Sequence, residues 1–569
     1  MYPRASRAPI SLIAAMRAIG LVGVASALVA CGGSDTVSTS TPTSTVYQVE
    51  NYTIGGTISG LTVSSVVLAN GTSTVGVAAD ATTWVFPGSF TAGSSYSVTV
   101  QTQPTGELCA VTSGGSGMDT GTVGNVTVVC GYGQWGWESG LNTVNASGVY
   151  GTPDTPSASN VPGARNSTSS WTDSSGNFWL FGGVGYDSTG GSGYLNDLWQ
   201  YSPSTKEWTW VSGANADNAT GVYGTQGTPS ASNVPGARYS ASSWIDSSGN
   251  LWLFGGYGYD STGAVGNLND LWRYSPSTKE WTWISGANAD NAAGVYGTQG
   301  TATASNVPGA RYSASSWTDA SGNLWLFGGY GYGSTGAVGN LSDLWEYSQT
   351  TKEWTWISGG NADNAPGIYG TESTAAASNL PGARYAASTW IDSSGTLWLF
   401  GGYGYDSTGS VGKLGDLWQY SPSTKEWTWV GGEELANVAG LYGTLGIATA
   451  GDVPGARQAA RSWIDSTGNL WLFGGVGYGS TGGVGNLNDL WEFNPSTNEW
   501  IWVSGANVAD ATGLYGTQGT PSVGNVVGAR DSMSSWVDSS GTFWLFGGYG
   551  YDSNGNLGYL NDLWQFDPI

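Results

Sequence analysis

Residues 236–286 read GARYSASSWIDSSGNLWLFGGYGYDSTGAVGNLNDLWRYSPSTKEWTWISG, and this stretch decides the fold. It predicts four short strands, YSASSWID (239–246), NLWLFGG (250–256), DLWRYSP (270–276) and EWTWISG (280–286), rich in aromatic and β-branched residues. Asp-Ser-Ser-Gly supplies the first turn and Ser-Pro-Ser-Thr-Lys the third. In NLWLFGG both alternating sets, Leu251/Leu253 and Trp252/Phe254, are apolar. A strand apolar on both faces is covered on both, as when sheets stack face to face.

Outward from this unit the chain repeats itself. The arginine of PGAR or VGAR recurs at Arg165, Arg238, Arg311, Arg384, Arg457 and Arg530, always 73 residues apart. FGG triplets beginning at Phe181, Phe254, Phe327, Phe400, Phe473 and Phe546 keep the same interval. Tryptophan falls into five such columns, and Trp84 alone stands outside them. A period this strict marks a repeat architecture. Six units span residues 132–569; the last stops at Asp567-Pro568-Ile569, before its fourth strand. That strand, QWGWESG (134–140), stands alone at the start. The expected result is a closed ring, sealed when the early strand completes the final sheet and so leaving no free edge.

The order Gly-Gly, then Tyr274, then Trp281 after six intervening residues resembles the kelch motif, whose repeats form β-propeller blades. The resemblance covers residues 131–569 and implies an all-β, six-bladed propeller, with Phe493 and Phe566 in place of the tyrosine in the last two copies. The tryptophans are expected to be core, with a few exceptions at blade rims. Residues 47–130 show short alternating segments such as SSVVLAN and YSVTVQT, predicting a small β-sandwich stalk similar to the immunoglobulin-like spacers of bacterial surface proteins. Cys109 and Cys130 are expected to pair across it. Residues 31–46 read as a Ser/Thr/Pro tether. Residues 1–30 end in Leu-Val-Ala before Cys31, which resembles the lipobox of bacterial lipoproteins. That likeness implies lipidation of Cys31 and an exported, outer-membrane protein, periplasmic or at the cell surface.

Composition excludes several functions. The chain carries 16 Lys and Arg against 40 Asp and Glu, a net charge of −24, which repels a phosphate backbone and disfavours nucleic acid as a partner. It has no histidine, which removes Ser-His-Asp and Cys-His catalysis and imidazole-based zinc sites. Kelch propellers include galactose oxidase, whose copper site needs two histidines and a cysteine-linked tyrosine; residues 131–569 have neither His nor Cys, so that activity is excluded. Asp173-Ser-Ser-Gly176-Asn-Phe-Trp179 resembles the Asp-box of sialidases with one residue too many, and reads as a turn. No metal or cofactor is expected.

Ligand contacts are sought on the long connections, the second-to-third loop (256–269) and the blade-to-blade loop (about 214–236), which share one face. The six PGAR-type arginines are expected near the channel mouth, either binding an anion or pairing with Asp197, Asp270, Asp343, Asp416, Asp489 and Asp562. Positions that break the symmetry are better candidates for specificity: Tyr239, Tyr312 and Tyr385 after the arginine, Glu433 and Glu434 in the loop to the fifth blade, and Arg461, where other copies have serine. The expected function is non-catalytic binding of a glycan or a protein ligand through the long-loop face. An alternative is an epimerase similar to the periplasmic kelch enzyme acting on sialic acid, with Glu433 or Glu434 and Arg461 holding an anionic sugar.

Overall fold

A computed structural model describes residues 51–568 except residues 63, 106, 119 and 120. The leader, Cys31 and the tether lie outside the described residues. Every regular element described is a strand.

Six blades follow one another at the 73-residue period. In blade 2 the sheet order is Arg238–Tyr239 with Ser242–Ile245, then Leu251–Tyr259, Val265–Ser275 and Glu280–Ser285, all antiparallel. Blades 1, 4 and 5 have the same order, and blade 3 holds it in two pieces split along the strands, one of Arg311–Tyr312, Tyr330–Tyr332 and Val338–Asn340 and the other running from Ser315–Thr318 to Glu353–Ser358. Blade 6 runs Arg530–Asp531 with Ser534–Val537, Phe543–Tyr551 and Leu557–Pro568, and its outermost strand is Gly133–Ser139. Trp135 there lies opposite Phe566 and Gly133 opposite Pro568, so the two ends of the ring are hydrogen-bonded to each other. The innermost strands touch in sequence, and that of blade 6 touches that of blade 1. The ring is closed.

Its packing follows from the doubly apolar second strand. Leu251, Trp252, Leu253 and Phe254 are all buried, and Leu251 and Leu253 share a cluster with Trp171, Trp179 and Phe181 of blade 1. Burying one such aromatic contributes roughly 1.5–3 kcal/mol before entropy is counted. Four tryptophan columns are buried throughout. The fifth, Trp137, Trp210, Trp283, Trp356, Trp429 and Trp502, is half-buried at the outer rim.

Two features differ from the expectation. The stretch 256–269 is not a loop of fourteen residues: the second and third strands run on as a hairpin to Tyr259 and from Val265, leaving only residues 260–264 between them. The Gly-Gly pair is a bulge inside the strand rather than its end. Gly255 (φ 64°) and Gly256 (φ 96°) are left-handed, and a Cβ on Gly255 would lie 2.7 Å from the carbonyl oxygens of both Leu268 and the next blade's Arg311. The inner strand is broken opposite this bulge, at Ser240 (φ 52°).

The described residues of 51–131 form two four-stranded sheets and a two-stranded one, around a core that includes Ile54, Val66, Leu68, Trp84, Phe86 and Val126. Cys109 and Cys130, directly opposed on neighbouring strands, form a disulfide. Only Tyr132 separates the last strand of this module, Val123–Gly131, from Gly133–Ser139 of the propeller. Its phenol bonds to the Thr62 hydroxyl (2.7 Å), which with its own amide is held by buried Glu107.

Candidate binding site at the channel mouth

The six arginines are interior, not ligand-facing. Each is 0–1 % exposed. In blade 2 the Arg238 guanidinium grips Asp270 with two parallel bonds (2.6 and 2.8 Å) and donates to the carbonyls of Gly236 (3.0 Å) and Gly255 (2.9 Å). Asp270 also accepts from the Tyr223 phenol (2.5 Å) and the Trp272 indole (2.7 Å). The same Arg–Asp–Tyr–Trp cluster recurs in all six copies, for example as Arg165–Asp197 and Arg530–Asp562. A buried charge needs its counter-charge and its hydrogen bonds. Ligand binding by Arg165, Arg238, Arg311, Arg384, Arg457 and Arg530 is therefore corrected to a structural pairing. Burial, and then the adjacent aspartate, raises each tyrosine phenol of the cluster well above its usual range. These phenols stay protonated and anchor the long loops from below.

Just inside the arginines the backbone makes a closed belt. The amide of Ser240 donates to the carbonyl of Ser167, and the pattern continues through Ser313, Ala386, Ala459 and Ser532 back to Ser167 (2.8–3.0 Å). All six residues are left-handed, with φ between 52° and 56°. Such a conformation in six non-glycine residues is held because each amide would otherwise lack a partner. Within and below the belt lies a cavity of about 150 Å³ lined by serine, threonine and alanine, with Arg461 as its one charged lining residue.

Outside the belt the mouth is lopsided. Tyr239, Tyr312 and Tyr385 come together as an arc, with ring centroids 5.9 and 6.1 Å apart, each backed by a second tyrosine (Tyr257, Tyr330, Tyr403) at 5.6 Å. Tyr194 continues the arc at 5.3 Å from Tyr239. The opposite half of the mouth has Gln458, Asp531 and Asn166 at the equivalent positions. Burial pushes Asp531 up to about 6, against the opposing pull of its Ser532 bond and the Arg461 charge. Glu433 and Glu434 are exposed on the outer loop, and the charge coupled to Arg461 is Asp531, so the proposed Glu–Arg pair is not formed.

The long loops hold what the sequence reading missed. In the Gly-[Val/Ile/Leu]-Tyr-Gly motif the tyrosine is buried, but the aliphatic residue before it faces solvent. Val149, Val222, Val295, Ile368, Leu441 and Leu514 are 48–60 % exposed. Each backbone is pinned by a two-residue bridge, such as Val222 with Val234. A second set, Val265, Val338, Val411, Val484 and Leu557, is exposed where the third strands begin. Their signal was the apolar residue repeated in a loop that has no need of one. The same face carries Asp217, Asp290, Asp363, Glu433, Glu434 and Asp510, whereas Lys206, Lys279, Lys352 and Lys425 lie on the short turns opposite. The Asp-Ser-Ser-Gly turn is structural: Asp246 accepts from the amides of Ser248 and Asn250 and from the Trp252 indole. Among the described residues no group of three or more carboxylate or thiol side chains is placed to hold a metal ion.

No curated protein matches the chain in a sequence comparison. The family model described as KLHDC2/KLHL20/DRC7 Kelch-repeats domain matches residues 225–430, which run from the loop into blade 2 to the outer strand of blade 4. With the Gly-Gly bulge and the four-stranded antiparallel sheet recurring on both sides of that segment, the chain carries a kelch-repeat β-propeller.

Proposed function

We propose that the protein is a non-catalytic binding platform that docks a protein ligand on its long-loop face. The observation that carries this reading is the ring of exposed aliphatic residues, one or two per blade, set on loops that are themselves anchored by buried tyrosines. Apolar side chains held in place on a surface remain wet unless a partner covers them, and rigid presentation lowers the ordering cost of binding. The interspersed carboxylates select a partner that is basic as well as apolar. The kelch match supports a propeller used for protein binding. A glycan ligand is the second reading, favoured by the tyrosine arc facing polar Asn166, Gln458 and Asp531. Both readings are tested by probing the full chain on arrays of defined synthetic peptides and of glycans. Peptides rich in Lys, Arg and aliphatic residues are the expected hits, with binding lost in a Val222→Ser, Val295→Ser, Ile368→Ser triple variant. Unchanged peptide binding by that variant would refute docking on this face.

A further inference from the structure

At the position of Arg461 the other copies have Ser169, Ser242, Ser315, Ser388 and Ser534. Where a serine sits there its hydroxyl bridges blades: Ser169 donates to the carbonyl of Ala241, Ser242 to that of Ala314 and Ser388 to that of Ala460. Arg461 keeps this bridge with a different atom, donating through Nε to the carbonyl of Met533. Of its five N–H donors that is the one engaged; neither terminal nitrogen has a hydrogen bond or ion pair among the described residues. Protein surrounds the half-buried side chain closely enough to lower its pKa to about 10, through burial opposed by Asp531, and the residue lines the cavity. A guanidinium fork thus projects into a cavity otherwise walled by neutral side chains.

The walls suit an anion. The hydroxyls of Ser243, Ser316 and Thr389 donate to neighbouring backbone carbonyls at 3.4–3.5 Å, the long limit of such bonds, so their protons are free to turn inward. The cavity, about 150 Å³, has room for a short carboxylate or a phosphate. We propose that this cavity is a binding site for one small oxyanion, held bidentately by the terminal nitrogens of Arg461 and by hydroxyls of the channel wall. The site is separate from the aliphatic ring on the loops and does not require a docked protein.

The test is calorimetric titration of the full chain with sodium acetate and, separately, with inorganic phosphate, each against sodium chloride at matched ionic strength. The two titrations distinguish a carboxylate from a phosphate site. Saturable binding of one or both is expected, at least tenfold weaker in Arg461→Ser, which restores the residue of the other five copies and so retains the fold. Asp531→Asn, which removes the competing charge nearby, is expected to tighten binding several-fold. Arg461→Lys keeps the charge without the fork and is expected to bind more weakly than wild type. Equal titrations for wild type and Arg461→Ser, or no heat beyond chloride for either anion, would overturn the proposal.

Discussion

Asp452 sits where five blades have asparagine, and replacing it by Asn is expected to stabilise the propeller. In the other copies this amide stitches the blade-to-blade loop to the outer strand: Asn233 Nδ2 donates to the carbonyls of Thr228 and Trp281, both at 3.1 Å, and Asn160, Asn306, Asn379 and Asn525 make the equivalent pair. A carboxylate cannot donate. In blade 5 the bonds to Ile447 and Trp500 are missing, one Asp452 oxygen is buried with no partner, and the bridge that other loops make with the outer strand is absent among the described residues. Two recovered bonds at about 1 kcal/mol each give Asp452→Asn a gain of about 2 kcal/mol at neutral pH. Burial raises the Asp452 pKa above its ordinary value, so wild type is favoured when the group is protonated and loses that favour as pH rises through the folded pKa. The gain should therefore be full at pH 7.5 and shrink as pH approaches 4. Urea unfolding of wild type and variant at both pH values, followed by tryptophan fluorescence, measures it. A variant no more stable at pH 7.5, or one with the same gain at pH 4, would refute the reasoning.

Other substitutions test the remaining features. Asp343→Asn leaves the Arg311 charge buried beside a neutral amide and should cost about 3–5 kcal/mol in urea unfolding. Tyr274→Phe should change stability by less than about 1 kcal/mol, because the buried Tyr274 hydroxyl has no partner and blades 5 and 6 already carry Phe493 and Phe566 there. Asp531, raised to about 6 in the folded state, favours folding below pH 4 and loses that contribution as pH rises through 6; Asp531→Asn should thus melt higher than wild type at pH 7.5 and alike at pH 3.5.

The propeller was legible because a 73-residue period exposes what every blade must satisfy alone. The doubly apolar NLWLFGG strand announced face-to-face stacking, and the stray QWGWESG segment announced the seam with the final blade. In sequence alone the Gly-Gly pair reads as a strand end, because glycine ends strands as readily as it bulges them. Only the carbonyls of Leu268 and Arg311, the latter contributed by the next blade, show why a side chain is excluded there.

Sequence periodicity by itself determined the blade number, the ring closure, the tryptophan core and the exclusion of histidine chemistry, since each depends on residues that recur or are missing at every copy. Tertiary structure alone decided which recurring polar residues are core and which face a ligand. Arg238 and Asp270 repeat as strictly as any binding motif would, and although 32 positions apart in the chain they meet at 2.6 Å in the interior. Arg461, Met533 and Asp531 meet across two blades, and their shared cavity exists only because lateral register sets one inner strand beside the next. Periodicity reports what a blade needs within itself, whereas burial and the pairing of charges depend on what the neighbouring blade presents.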